Sequence, residues 1–245
     1  MISKDNLEKD FLEVTKDFKN LFYDISITSP SKKSRFHKQS EEFYKKDEDI
    51  SDKIQSVVVW SVFTDVAADY FYRSSILPSI FYYLNKKYEK DGIEFFWDDY
   101  CFDRKQYALR SGVGKLSKPS IVFHKNYGLN CKFELLFCNT KLYDMVTVED
   151  TLLYENCIGC NAPCEKKCPM NCKMDFKLVD WEKCSNFIDK DYLFENPDKM
   201  CRICQESCPY SEELRNQIKK KNKSYGEFLD PKHKKLNFKN IFNYF

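Results

Sequence analysis

Four cysteines fall within thirteen residues in CIGCNAPCEKKCP, Cys157 to Pro169, and CRICQESCP, Cys201 to Pro209, repeats half of that pattern. Short gaps let one turn of backbone aim several thiolates at one centre, as a compact four-iron cluster requires. In two-cluster bacterial ferredoxins the run is C-x2-C-x2-C-x3-C-P, and its fourth cysteine crosses to the other cluster. Here it is Cys157-x2-Cys160-x3-Cys164-x3-Cys168-Pro169, one residue longer at the second gap, and the later group is Cys184 with Cys201-x2-Cys204-x3-Cys208-Pro209. Crossed ligation predicts one [4Fe-4S] cluster on Cys157, Cys160, Cys164 and Cys208, and another on Cys184, Cys201, Cys204 and Cys168. Cys172 competes with Cys168 for the second site, and the Pro169 that follows Cys168 favours the latter. Structural zinc on the CxxC pairs is the competing chemistry. The two C-x3-C-P endings favour iron, and two clusters in so short a segment favour electron transfer over stapling.

The compartment agrees with metal. Nine of the twelve cysteines lie between Cys157 and Cys208, and in a reduced cytosol clustered thiols point to metal rather than disulfides. No long apolar run is present, and MISKDNLEKDFLEV lacks the apolar core of a signal peptide, so a soluble cytoplasmic chain with no membrane partner is expected. The 40 basic and 38 acidic residues nearly cancel, so overall charge selects no nucleic acid, membrane or acidic substrate. Charge is local instead: from Arg215 to Phe245 nine basic side chains face only Glu227 and Asp230. Such a tail can contact phosphate, although a solvated lysine-rich surface is the commoner explanation.

Upstream of the cysteines the pattern is layered. Leu7, Phe11, Val14, Phe18, Leu21 and Phe22 recur at helical steps behind possible caps at Ser3 and Asp5. Ser29 to Lys53 is polar and reads as a solvated connection. SVVVWSVF reads as a strand buried on both faces, SIFYYLNKKYEK as a helix ended by Gly92, and IEFFW as the next strand. DRKQYALRS reads as a helix closed by Gly112, GVGKLSKP as a loop, SIVFH as a strand, and CKFELLF as a half-buried strand with Cys131, Phe133, Leu135 and Phe137 on one face. The three histidines show no metal-ligand spacing and take surface or packing roles. The fold class expected is α+β: an α/β layered domain over residues 1–150, a small ferredoxin-like two-cluster domain over 151–211, and a basic tail over 212–245.

Cys184 followed by CRICQESCP, taken with the first cysteine run, resembles the C-terminal ferredoxin module of the epoxyqueuosine reductases, relatives of the respiratory reductive dehalogenases. WDDYCFDRKQYALRSGVGKLSKPSIVFHKNYGLNCKFELLF is similar to the same family's stretch of catalytic aspartate, helix, glycine loop, strand and Y-G turn. Matching Gly112, Gly114 and Lys118 to the family's two glycines and lysine puts Asp98 on the catalytic aspartate, with Asp99 beside it. Cys101, Lys115 and Ser117 stand where the family has proline, tryptophan and a third glycine. The resemblance implies an oxidoreductase in which two clusters reduce a cobalamin held by the N-terminal domain. Gly112, Gly114 and Lys118 would meet that cofactor, and Asp98 would donate a proton as the epoxide oxygen of epoxyqueuosine in tRNA is removed. An electron donor such as flavodoxin or ferredoxin, tRNA contact through the basic tail, and a monomer complete the expectation. The alternatives are an electron-transfer ferredoxin-like protein without a corrinoid and a zinc-stapled RNA-binding protein.

Overall fold

Every residue of the strand Ser56–Phe63 is buried, because helices cover one face of its sheet and a helix with a hairpin covers the other. The computed structural model describes residues 2–16, 23–31, 53–63, 76–97, 104–172, 175–176, 183–184 and 201–221. Phe18, Leu21, Phe22, most of the polar connection, Asp98, Asp99, Cys101 and the tail beyond residue 221 lie outside them.

Helix α1, Lys4–Thr15, starts at a reciprocal cap: Ser3 Oγ accepts from the Asn6 amide at 3.2 Å, and Asn6 Oδ1 accepts from the Ser3 amide at 3.0 Å. Strand β1, Tyr23–Thr28, and β2, Ser56–Phe63, precede α2, Leu77–Tyr88, which runs into a short 3-10 turn and stops at Gly92. Gly92 takes the left-handed conformation, φ 68°, that ends helices at low cost for glycine. Then come β3, Phe95–Trp97, α3, Arg104–Arg110, the hairpin β4, Gly114–Leu116, with β5, Val122–His124, and β6, Cys131–Cys138.

The main sheet has the order β1-β2-β6-β3 and is antiparallel at each pairing. One face packs Ile25, Val58, Trp60 and Leu136 against Leu7 and Phe11 of α1 and Ile80 and Leu84 of α2. Phe11 meets Trp60 edge-on, ring centroids 4.5 Å apart at 83°, a pairing that adds about 0.5–1.5 kcal/mol to the burial itself. Asp10 on α1 accepts from Tyr88 Oη at 2.6 Å and pairs with Lys87, which joins the two helices. The opposite face packs Val57, Val59, Phe133 and Leu135 against Tyr107 and Leu109 of α3 and Val122 of the hairpin.

Two expectations change. CKFELLF is not half-buried: Leu136 and Cys138 fill the helical core while Phe133 and Phe137 fill the hairpin core, so both faces of β6 are covered. The supposed loop GVGKLSKP contains β4, which pairs residue by residue with β5. Strand β1 is an addition, since YDISIT alternates too briefly to stand out from a polar neighbourhood. The mixed helix-and-sheet class is as expected.

Candidate metal centre

Strand β4 delivers the chain to the cysteines. On its free edge Leu116 donates its amide to the Leu152 carbonyl at 2.8 Å, and Tyr154 donates back to Leu116 at 2.8 Å. Immediately afterwards α4, Glu155–Ile158, carries Cys157, and α5, Pro163–Lys166, carries Cys164. Further on, α6, Ile203–Glu206, carries Cys204, and α7, Pro209–Lys221, follows Cys208. These single turns explain the spacing, since residues three or four apart project from the same side of a helical turn. Ala162 takes a left-handed conformation, φ 48°, to start α5, and α5 packs directly on α6. The two cysteine runs, some forty residues apart in sequence, therefore meet.

The electrostatics sort the cysteines into two neighbourhoods. Burial raises the Cys164 thiol, and Cys157, Cys208 and Cys160 raise it further; Cys208 is raised by burial and then by Cys157 and Cys160. Separately, burial raises Cys184, helped by Cys201 and Cys168, and pushes Cys204 up to about 12, helped by Cys201, Cys184 and, more weakly, Cys164. Cys157, Cys160 and Cys208 are thus neighbours of Cys164, and Cys168 and Cys201 are neighbours of Cys184, with Cys164 and Cys204 close enough to feel each other. The buried thiols of Cys157, Cys164, Cys184, Cys204 and Cys208 resist ionisation in this setting, and a cation-rich centre would reverse that preference. Among the described residues no three His, Cys, Asp or Glu side chains are drawn together as ligands of a single metal ion are. Cys172 is buried. Cys131 and Cys138 belong to the sheet core, and burial holds both thiols above their ordinary range.

The glycine loop has a different geometry from one cofactor cradle. Gly112, φ 72°, ends α3, its amide donating to the Leu109 carbonyl at 3.0 Å. At Gly114 an added Cβ would lie 2.5 Å from the Phe123 carbonyl and 2.6 Å from Val122 Cγ1, so glycine is what lets β4 lie on β5. Both glycines line a cavity of about 450 Å³ with Lys115, Phe123, Tyr154 and Tyr210. That is the size of a small-ligand site. Lys118 is not in its walls: the ammonium donates to the Cys160 carbonyl at 3.2 Å. Among the described residues, Gly112 and Gly114 share this cavity while the Lys118 ammonium is turned to Cys160. Asp98 follows β3 directly in sequence and lies outside the described residues.

Sequence reasoning missed the contacts that attach the cysteine module. Ser211 on α7, fully buried, accepts from the Leu129 amide and from Asn130 Nδ2, each at 2.9 Å. Phe123 stacks on Tyr154 at 3.8 Å and 10°, and Tyr210 meets Tyr154 edge-on. Only the Y-G turn at Tyr127 and Gly128 offered a signal.

No protein-family model matches the chain. An epoxyqueuosine reductase of Cyclobacterium marinum is 25% identical over 117 residues, 44% of this chain and 36% of its own length. The chain thus spans about a third of that relative. Among solved structures, an epoxyqueuosine reductase from Bacillus subtilis superposes with a TM-score of 0.54 at 15% identity, over 86% of this chain and 66% of its own. The chain has the fold of the epoxyqueuosine reductases. A structure of an epoxyqueuosine reductase with an epoxyqueuosine-modified tRNA-Tyr stem loop gives a TM-score of 0.52 at 14% identity, covering 88% of this chain and 69% of its own. A catabolic reductive dehalogenase gives 0.53 at 12% identity, covering 84% and 33%. Among the described residues no helix is long and apolar enough to cross a membrane.

Proposed function

We propose that this chain is an iron-sulfur oxidoreductase of the epoxyqueuosine reductase type, holding two [4Fe-4S] clusters that pass electrons to an acceptor in the sheet domain. The observation that supports this reading is the spacing of the two cysteine runs together with the packing of α5, which carries Cys164, on α6, which carries Cys204. Eight thiolates in two sets of four suit two cubanes, and clusters bound this way supply electrons one at a time. The chain's own residues hold the sulfurs on short turns, exclude water from Cys157, Cys164 and Cys208, and brace the site on β4.

For the acceptor, the resemblance points to a corrinoid, which would supply the strongly reducing centre for removal of an oxygen atom. Asp98 is the proposed proton donor, and queuosine modification of tRNA the proposed pathway, with the basic residues of α7 and beyond as the tRNA contact. Fit is where the two cofactors differ. The cysteines suit clusters, whereas among the described residues the cavity beside Gly112 and Gly114 is of small-ligand size and Lys118 turns to Cys160 instead. That divergence favours a second reading, an electron-transfer protein without a corrinoid.

Cobalamin added to the anaerobic, reduced protein separates the two. Under the first reading the corrinoid spectrum changes on binding, and Asp98→Asn abolishes turnover of an epoxyqueuosine-bearing stem loop while both clusters persist. Absence of binding supports the relay, and full turnover in Asp98→Asn removes the proton-donor assignment.

A further inference from the structure

Lys118 stands where the hairpin of the sheet domain meets the first cysteine quartet, and it is held from two sides. Its carbonyl accepts from the Phe176 amide at 3.2 Å, and its ammonium donates to the Cys160 carbonyl at 3.2 Å. The ammonium is thereby seated on the backbone at the end of the Cys157-x2-Cys160 turn. The neighbouring cations are engaged elsewhere: Lys115 pairs with Glu155 at 2.7 Å, and Lys166 donates to Asn161. Among the described residues, Lys118 is a cation that the fold fixes against the backbone of this turn.

A cluster held by thiolates gains negative charge when it accepts an electron. Hydrogen bonds to its sulfurs and fixed positive charge nearby both favour the more negative state, and these are the means by which a protein tunes such a potential. Partial burial of the Lys118 side chain limits solvent screening of its charge.

We propose that Lys118 is a positioning residue that sets the reduction potential of the cluster on Cys157, Cys160, Cys164 and Cys208, its ammonium raising that potential from its seat on the Cys160 carbonyl. This rests on the two-cluster reading above. The electron itself comes from an external one-electron reductant and ends on the cluster, with no bond made or broken at Lys118.

The test is a redox titration with dithionite and mediators, followed by EPR, on the full chain purified anaerobically with its iron content measured first. In Lys118→Gln one of the two midpoint potentials falls and the other stays. The fall corresponds to about a tenfold change in the reduction equilibrium, about 59 mV for a one-electron couple. Lys118→Arg, which keeps the charge, retains the wild-type value. Lys118→Met is neutral and of similar length, and it carries the same test should the Gln variant load iron poorly. An unchanged pair of potentials in an iron-replete neutral variant overturns the assignment of Lys118 alone, as does an equal shift of both. Wild-type protein that binds no iron overturns the two-cluster reading and this one together.

Discussion

Gly128 and Ser211 are in direct contact: a Cβ placed on Gly128 would lie 2.7 Å from Ser211 Oγ and 2.9 Å from Ser211 Cα. Gly128 also holds φ 62°, a left-handed conformation that costs other residues energy. The turn before β6 and the first turn of α7 can close on each other only with glycine there. Gly128→Ala combines backbone strain with overlap and is expected to destabilise the protein by about 2–4 kcal/mol. Ser211→Ala leaves the buried Leu129 amide and the Asn130 side chain without their acceptor, for about 1–3 kcal/mol. Urea unfolding of both variants checks this; a midpoint unchanged in Gly128→Ala would contradict the contact.

The proposed assignment of the cysteines to two clusters makes a selective prediction. Cys164→Ser and Cys204→Ser each remove a ligand from a different set, so each is expected to lose about half of the bound iron. Cys131→Ser and Cys138→Ser change the sheet core and should retain all of it. Iron and acid-labile sulfide analysis distinguishes them, and equal iron loss from Cys138→Ser and Cys164→Ser would be incompatible with the division.

Gly114→Ala places a methyl group against the backbone of β5, where neither Phe123 nor Val122 can withdraw without opening the hairpin. The expected cost is about 1–3 kcal/mol. Because β4 also braces residues 152 to 154, the variant should release iron to a chelator faster than wild type. Equal release rates would show that the hairpin does not support the cysteine turns.

His124 introduces a pH dependence. Its ring is fully buried and stacked on Tyr127, and burial lowers its pKa from 6.5 to about 4; Asp24 opposes that shift and Lys125 adds to it. The unfolded chain therefore binds more protons than the folded one between those values. Stability is fully present above pH 6.5 and is lost as the pH falls towards 4. His124→Gln should flatten this slope between pH 7 and pH 5 in urea unfolding. Identical slopes in wild type and variant would exclude His124 as the source.

What could be read from the sequence was local. The cysteine turns follow from gaps of two or three residues, β2 from a β-branched apolar run, and the end of α2 from Gly92. Non-local geometry was not available in the same way. The pairing of β6 between β2 and β3 unites segments distant in sequence, and nothing in SVVVWSVF or CKFELLF specifies that order. GKL is too short to declare itself a strand until β5 pairs with it. Likewise Lys118 resembles a cofactor-loop lysine in sequence, and only its position in space turns it toward Cys160.

The most direct test of the two-cluster account is the metal content of the full chain purified without oxygen. About eight irons with equivalent labile sulfide per chain, and an EPR signal on reduction, are predicted. Stoichiometric zinc in the absence of iron and sulfide would contradict it.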